Sequence, residues 1–183
     1  MALIESIDVK LGTPAPAFLL PNIDNRLYSL EDFNGSKILV VVFMCNHCPY
    51  VQACIDRLTS LQKIFLEQSV KFVGINANDT TDYPEDGFEA MKIFSQKWAM
   101  NFPYLFDETQ GIAHAYGAVC TPDIFVYDAK RLLRYHGRID NNWKDESKAT
   151  THELRDALMK MVEGKIPQEI QHSSMGCSIK WKL

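Results

Sequence analysis

The run Lys37-Ile38-Leu39-Val40-Val41-Val42-Phe43, continuing as Met44-Cys45-Asn46-His47-Cys48-Pro49-Tyr50-Val51, decides the fold. Its first part is a continuous, mostly β-branched apolar stretch, the pattern of a strand buried on both faces of a parallel sheet. From there Val51, Cys54, Ile55, Leu58, Leu61 and Phe65 recur at spacings of three and four, which predicts a helix with one buried face. A second apolar run, Lys71-Phe72-Val73-Gly74-Ile75-Asn76, follows it. Strand, helix and strand in this order imply a right-handed crossover unit, because parallel neighbours cannot be joined by a tight turn.

Upstream, Gly12-Thr13-Pro14-Ala15-Pro16 is a rigid opening segment. Phe18-Leu19-Leu20 and Leu27-Tyr28, around the polar stretch Asn22 to Asn25, predict an N-terminal β-hairpin. Downstream, Phe88, Met91, Phe94 and Trp98 predict a helix in an insertion after the second core strand. Tyr104-Leu105-Phe106 and a helical stretch near Gly111 to Tyr116 come next. Asp123 to Tyr127 and Leu132 to Ile139 then flank an Asp128-Ala129-Lys130 turn as antiparallel strands. Leu154, Ala157, Leu158, Met161 and Val162 mark a final amphipathic helix, leaving a tail from Pro167 to Leu183. With no repeat, low-complexity tract or linker, 183 residues predict a single α/β domain over 1–183, with a central mixed β-sheet flanked by helices.

The formal net charge of −4 offers no basic footprint for nucleic acid or an anionic membrane, so neither is an expected partner. The start, Met1-Ala2-Leu3-Ile4-Glu5-Ser6-Ile7-Asp8, has neither the basic residues nor the apolar run of a signal peptide, and no later stretch is apolar over a bilayer's width. A cytoplasmic protein is expected, a secreted form from a processed precursor staying open. In a reducing compartment the five cysteines, Cys45, Cys48, Cys54, Cys120 and Cys177, speak for catalysis or metal binding over structural bridges.

Cys45 and Cys48 fall between a buried strand and a helix, at the sheet edge where open α/β folds place their ligands. Unpaired N–H groups and the dipole at a helix start stabilise a thiolate, the reactive form of cysteine. Cys45 is expected to be the more exposed of the two and to have the lowered pKa. Pro49 suits the first helical position, where a missing N–H costs nothing. A C-x-x-C beside a crossover unit is a redox context, the bland alternative being two small buried residues. His47, as a cation or donor, is expected to favour the Cys45 thiolate, the alternative being a solvated side chain. No serine, threonine or carboxylate partner for His47 is suggested nearby, so hydrolysis is not expected.

Val42 to Val51, together with Val119-Cys120-Thr121-Pro122-Asp123 and Gly12 to Pro16, resembles the thioredoxin-like redoxin family. That family groups thiol-disulfide oxidoreductases of the TlpA type with alkyl hydroperoxide reductase and thiol-specific antioxidant proteins. The resemblance runs over nearly the whole chain and implies a thioredoxin-like fold. It implies dithiol-disulfide exchange, in which Cys45 attacks a substrate disulfide and Cys48 resolves the mixed disulfide. It also implies a cis Thr121-Pro122 bond opposite the cysteines, with the Thr121 backbone free to pair with an extended substrate; from the residues alone an ordinary trans bond stays open. The partners implied are a protein or small-molecule disulfide and an external thiol as electron donor, with no cofactor. Ser174-Met175-Gly176-Cys177-Ser178-Ile179-Lys180-Trp181-Lys182 resembles the C-terminal motif of this redoxin subgroup. Cys177 and Cys120 are candidate auxiliary thiols, the alternatives being a tail docked through Ile179 and Trp181 and a packed Cys120. Cys54, on the apolar helix face, reads as a packed small hydrophobe.

The chain also departs from the family patterns. Met44 stands where thioredoxins carry tryptophan, Leu39 where they bury a carboxylate, and Val51 where TlpA-like reductases place a glutamate. No proton acceptor for Cys48 is thereby identified. A second reading is a peroxiredoxin-like thiol peroxidase with Cys48 as peroxidatic residue. Cys48-Pro49 fits it, but Cys45 replaces the threonine three residues before and Val41 the proline seven before. A third is a metal-binding module or copper chaperone, since thiolates with an imidazole suit Cu(I) or Zn. A closed zinc site needs four ligands, and no second C-x-x-C or H-x-x-x-H supplies them. His47 sits too close to both cysteines in sequence to chelate comfortably with them, and no metal is expected.

Overall fold

Every residue from Ile38 to Phe43 is buried, as a strand covered on both faces requires. The computed structural model describes residues 3–168 and 170–182. Met1 and Ala2, with which the segment read for a leader begins, and Glu169 and Leu183 of the tail lie outside them. In chain order the elements are β1 (Leu3–Glu5), β2 (Leu19–Pro21), β3 (Leu27–Ser29), β4 (Ile38–Phe43), α1 (Pro49–Phe65), β5 (Val70–Asn76), α2 (Phe88–Lys97), β6 (Tyr104–Phe106), α3 (Gly111–Tyr116), β7 (Cys120–Thr121), β8 (Asp123–Tyr127), β9 (Leu133–His136), α4 (Glu153–Val162) and β10 (Met175–Ser178).

The central sheet has the order β6-β5-β4-β8-β9. The β4–β5 and β5–β6 pairs are parallel, β4–β8 and β8–β9 antiparallel, so the sheet is mixed as expected. Alternation along β4 divides the interior in two. Ile38, Val40, Val42 and Met44 join Leu58 of α1, Met91 of α2 and Leu158 of α4 on one side. Leu39, Val41 and Phe43 join Phe18, Leu20 and Tyr116 on the other. Leu39, at the place of the missing carboxylate, is therefore plain core. The expected hairpin is the antiparallel β2–β3 pair, and α2 lies in the insertion after β5. A Cβ on Gly74 would stand 2.9 Å from Met44 Sδ, which accounts for glycine inside β5.

The tail was not legible as a strand, because Met-Gly-Cys-Ser has neither alternation nor β-branched residues. It becomes β10, the middle strand of a small antiparallel sheet of order β1-β10-β7. Cys177 stands opposite Leu3 on one side and Thr121 on the other. A Cβ on Gly176 would lie 2.0 Å from the Thr121 carbonyl oxygen, so only glycine permits this approach. Beyond β10, Ile179 and Trp181 cover the second core, as the docked-tail reading anticipated. The Lys180 N–H donates to Asn78 Oδ1 at 2.9 Å and its carbonyl accepts from the Asp79 N–H at 2.7 Å, tying the tail to the insertion.

Candidate active site

Cys48 is the N-cap of α1, in extended conformation with φ −69° and ψ 119°, and Pro49 occupies the first helical position. The free N–H groups of the first turn and the positive end of the helix dipole therefore act on Cys48. This reverses the expectation that they favour Cys45. Nor is Cys45 the exposed partner, for Cys45 is 1% and Cys48 0% exposed.

Both sulfurs meet at Thr121. Cys48 Sγ donates to the Thr121 carbonyl at 3.1 Å, and Cys45 Sγ lies 3.5 Å from Thr121 Oγ1. All five cysteines are free, and the two neighbouring thiols influence each other's ionisation. The neighbouring Cys45 thiol is the largest influence on Cys48 and holds it well below its ordinary value against the effect of burial. Cys45 is raised well above its ordinary value by the adjacent Cys48, by burial and by the charge of Asp86. One proton serves two adjacent sulfurs, so easing ionisation of one hinders the other.

The Thr121-Pro122 bond is cis, as the family resemblance implied. The Thr121 backbone is not free, however, because β10 pairs with it at Cys177. Of the two candidate auxiliary thiols, Cys177 shares a buried cluster with Cys48, and burial together with that neighbour pushes it up to about 12. Cys120 is buried, raised by that burial, and 3.7 Å from the Pro122 carbonyl. Cys54 is buried on α1 and pushed up to about 12.

His47 has the carboxylate partner that the sequence did not suggest. The loop after β5 ends in a short 3-10 turn, Pro84–Asp86, which brings Asp86 beneath the Asn46-His47 segment. Asp86 Oδ2 lies 2.5 Å from His47 Nδ1 and accepts from Asn78 Nδ2 at 2.7 Å. Its Oδ1 accepts the N–H groups of Asn46 and His47 at 2.8 and 3.1 Å. Asn46 Nδ2 donates to the Glu85 carbonyl at 2.9 Å, and the His47 ring stacks on Tyr83 with centroids 5.5 Å apart. The Asp86 bond raises the His47 pKa despite partial burial. Against the desolvation of a fully buried carboxyl, His47 and Asn78 hold Asp86 below its ordinary value. The expected support of Cys45 by His47 is not what results, since the Asp86 charge disfavours the Cys45 thiolate.

Cys45 Sγ, a His47 ring nitrogen and an Asp86 carboxylate oxygen lie within 4.8 Å of one another. His47, read as too close in sequence to both cysteines to chelate comfortably with them, is thus placed within reach of the same point as Cys45. Three such donors suit a cation with an open position rather than a closed zinc site. Beside Pro122 a mostly apolar cavity is lined by Tyr50, Ile139, Trp143 and Met175. Tyr50 and Trp143 pack with their rings tilted by 38° and centroids 4.1 Å apart. Buried Arg57 holds this rim, bonding the Asp140 carboxylate and the carbonyls of Asn142 at 3.0 Å and Trp143 at 2.6 Å. Among the described residues no helix is long and apolar enough to cross a membrane.

The sequence profile of the AhpC/TSA family matches residues 11–136. Peroxiredoxin Bcp of Escherichia coli is 33% identical, the match covering 80% of this chain and 92% of that protein. Thiol-disulfide oxidoreductase ResA of Geobacillus thermodenitrificans is 24% identical, over 68% of this chain and 67% of the relative. Among solved structures, a conserved protein of Geobacillus kaustophilus has a TM-score of 0.94 and 39% identity, covering 100% of this chain and 97% of that one. The fold is thioredoxin-like.

Proposed function

The chain belongs to the AhpC/TSA family, with a redox role on a thioredoxin-like fold, and we propose that it is a thiol-disulfide oxidoreductase whose couple is Cys45 and Cys48. The observation that carries this reading is the meeting of both sulfurs at Thr121. Cys48 is the first nucleophile, because its thiolate is the favoured one. It attacks one sulfur of a disulfide and expels a thiolate. Cys45 then attacks Cys48 Sγ, expels the second thiolate and leaves a Cys45–Cys48 bridge, which an external thiol reopens. Protein or small-molecule disulfides are the substrate class, and the cavity beside Pro122 supports an approach from that side.

A second reading is supported by Cys48 at the N-cap before Pro49, by its lowered pKa, and by the likeness to peroxiredoxin Bcp. There the Cys48 thiolate attacks a peroxide oxygen, the O–O bond breaks, Cys48 becomes a sulfenic acid and the other oxygen leaves, once protonated, as water or an alcohol. Oxidised glutathione and, separately, hydrogen peroxide with a sulfenic-acid trap distinguish the two. The oxidoreductase reading expects disulfide exchange in the wild type, slower turnover in Cys45→Ser and none in Cys48→Ser. Rapid sulfenylation of Cys48 with no exchange of glutathione would favour the peroxidase.

A further inference from the structure

Cys177 is the thiol that the couple leaves unused. It stands opposite Thr121 in the β10–β7 pair, and Thr121 is the residue at which both couple sulfurs meet. It is 2% exposed and belongs to the same continuous buried cluster as Cys45, Cys48 and Val51. Alternation along β10 sends its side chain into that cluster while Gly176, one residue earlier, lets the backbone lie against the Thr121 carbonyl. Glycine at 176 and cysteine at 177 thus act together: the first allows the approach, and the second supplies a sulfur at the end of it.

We propose that Cys177 is a resolving thiol for Cys48, carried to it by β10, so that Cys48 has one partner on its own strand-helix turn and a second on the tail. This rests on the oxidoreductase reading above. Once Cys48 holds a mixed disulfide, the Cys177 sulfur attacks Cys48 Sγ. The Cys48–Cys177 bond forms, the bond from Cys48 to the substrate sulfur breaks, and the expelled thiolate takes the proton that Cys177 loses. Over the whole sequence two cysteine thiols are oxidised to one disulfide and the substrate disulfide is reduced to two thiols. At rest, burial and the neighbouring Cys48 push Cys177 up to about 12 and keep it protonated. Conversion of Cys48 to a disulfide removes its charge and so releases part of that restraint.

The probe is oxidised glutathione, added to the full chain in single and double variants, with free thiols then alkylated and disulfides mapped by mass. Cys45→Ser is expected to form a Cys48–Cys177 bridge through a short-lived glutathione adduct. Cys45→Ser with Cys177→Ser is expected to keep glutathione on Cys48, with a lifetime longer by roughly tenfold or more. Gly176→Ala forces β10 away from Thr121 while Cys177 remains in the chain. In the Cys45→Ser background it is expected to slow the Cys48–Cys177 bridge by about tenfold, as displacement of a reacting group does. A purely structural Cys177 would show no such response. A lasting adduct on Cys48 of Cys45→Ser, with Cys177 alkylated, overturns the resolving role and leaves the oxidoreductase reading standing. A folded double variant that takes up no glutathione overturns the oxidoreductase reading, and this inference with it.

Discussion

Asp86 Oδ2 and His47 Nδ1 lie 2.5 Å apart, although 39 residues of chain separate them. The same carboxylate accepts the backbone N–H groups of Asn46 and His47, so the insertion after β5 holds the two residues between the paired cysteines. A carboxylate contacts this redox motif, but it arrives from a loop rather than from β4 or the first turn of α1. Its charge falls on Cys45 and leaves the thiolate to Cys48.

Replacing Asp86 by Asn is expected to return the His47 titration toward or below 6.5, because the Asp86 bond is what raises it. An NMR titration of the His47 ring checks this, and an unmoved midpoint would contradict the pairing. The variant is also expected to lose about 2 to 3 kcal/mol of stability in urea unfolding, since an amide has one acceptor oxygen where four donors need two.

The pH dependence of that loss has a definite sign. Asp86 is depressed from 3.8, so its contribution is fully present above that value and disappears as pH falls through its lower native pKa. His47 is raised from 6.5, so its contribution is fully present below that value and disappears as pH rises through its higher native pKa. The stability difference between wild type and Asp86→Asn should therefore be largest between pH 3.8 and 6.5 and shrink on both sides. Unfolding free energies across that range test it.

In the reduced protein, ultraviolet thiolate absorbance should rise through an inflection well below the ordinary 9.0, that of the Cys45–Cys48 pair. Cys45→Ala removes the neighbouring thiol that is its largest cause and is expected to move the inflection up toward the ordinary 9.0. Retention of the low inflection in the variant would assign it to the helix terminus alone.

Arg57→Ala should cost about 3 to 5 kcal/mol, because it leaves a buried carboxylate uncompensated. The Asp140 side chain is 2% exposed, and the guanidinium also bonds the carbonyls of Asn142 and Trp143. Urea unfolding measures the loss, and Trp143 fluorescence should report a loosened rim beside Pro122.

Cys54→Ala is expected to leave exchange with oxidised glutathione unchanged while costing about 1 to 2 kcal/mol for the lost packing. Cys54 is 1% exposed within the α1 face and pushed up to about 12, so it is neither accessible nor ionised. A changed exchange rate at unchanged fold would place it in the site.

The most local signals were the most legible. The apolar run of β4 and the three-and-four spacing of α1 each depend on neighbours within one element, and both elements form where those patterns lie. The hairpin and the antiparallel β8–β9 pair follow from turn residues between apolar runs, although β9 ends at His136, earlier than the apolar run suggests. Cys54 is packed as its helix face required. Asp86 and β10 escaped for a common reason: one is a single acid in a loop and the other a four-residue segment without alternation.

Residue order was therefore sufficient for the layered α/β architecture, for a cysteine pair at the junction of a buried strand and a helix, and for Pro49 at the helix start, because each is a matter of periodicity or adjacent chemistry. Long-range folding was needed to pair Cys177 with Thr121, to bring Asp86 to His47, and to make Cys48 rather than Cys45 the more acidic thiol. A pKa and a strand pairing are set by the groups that surround a residue in space, and those groups come here from segments far apart along the chain.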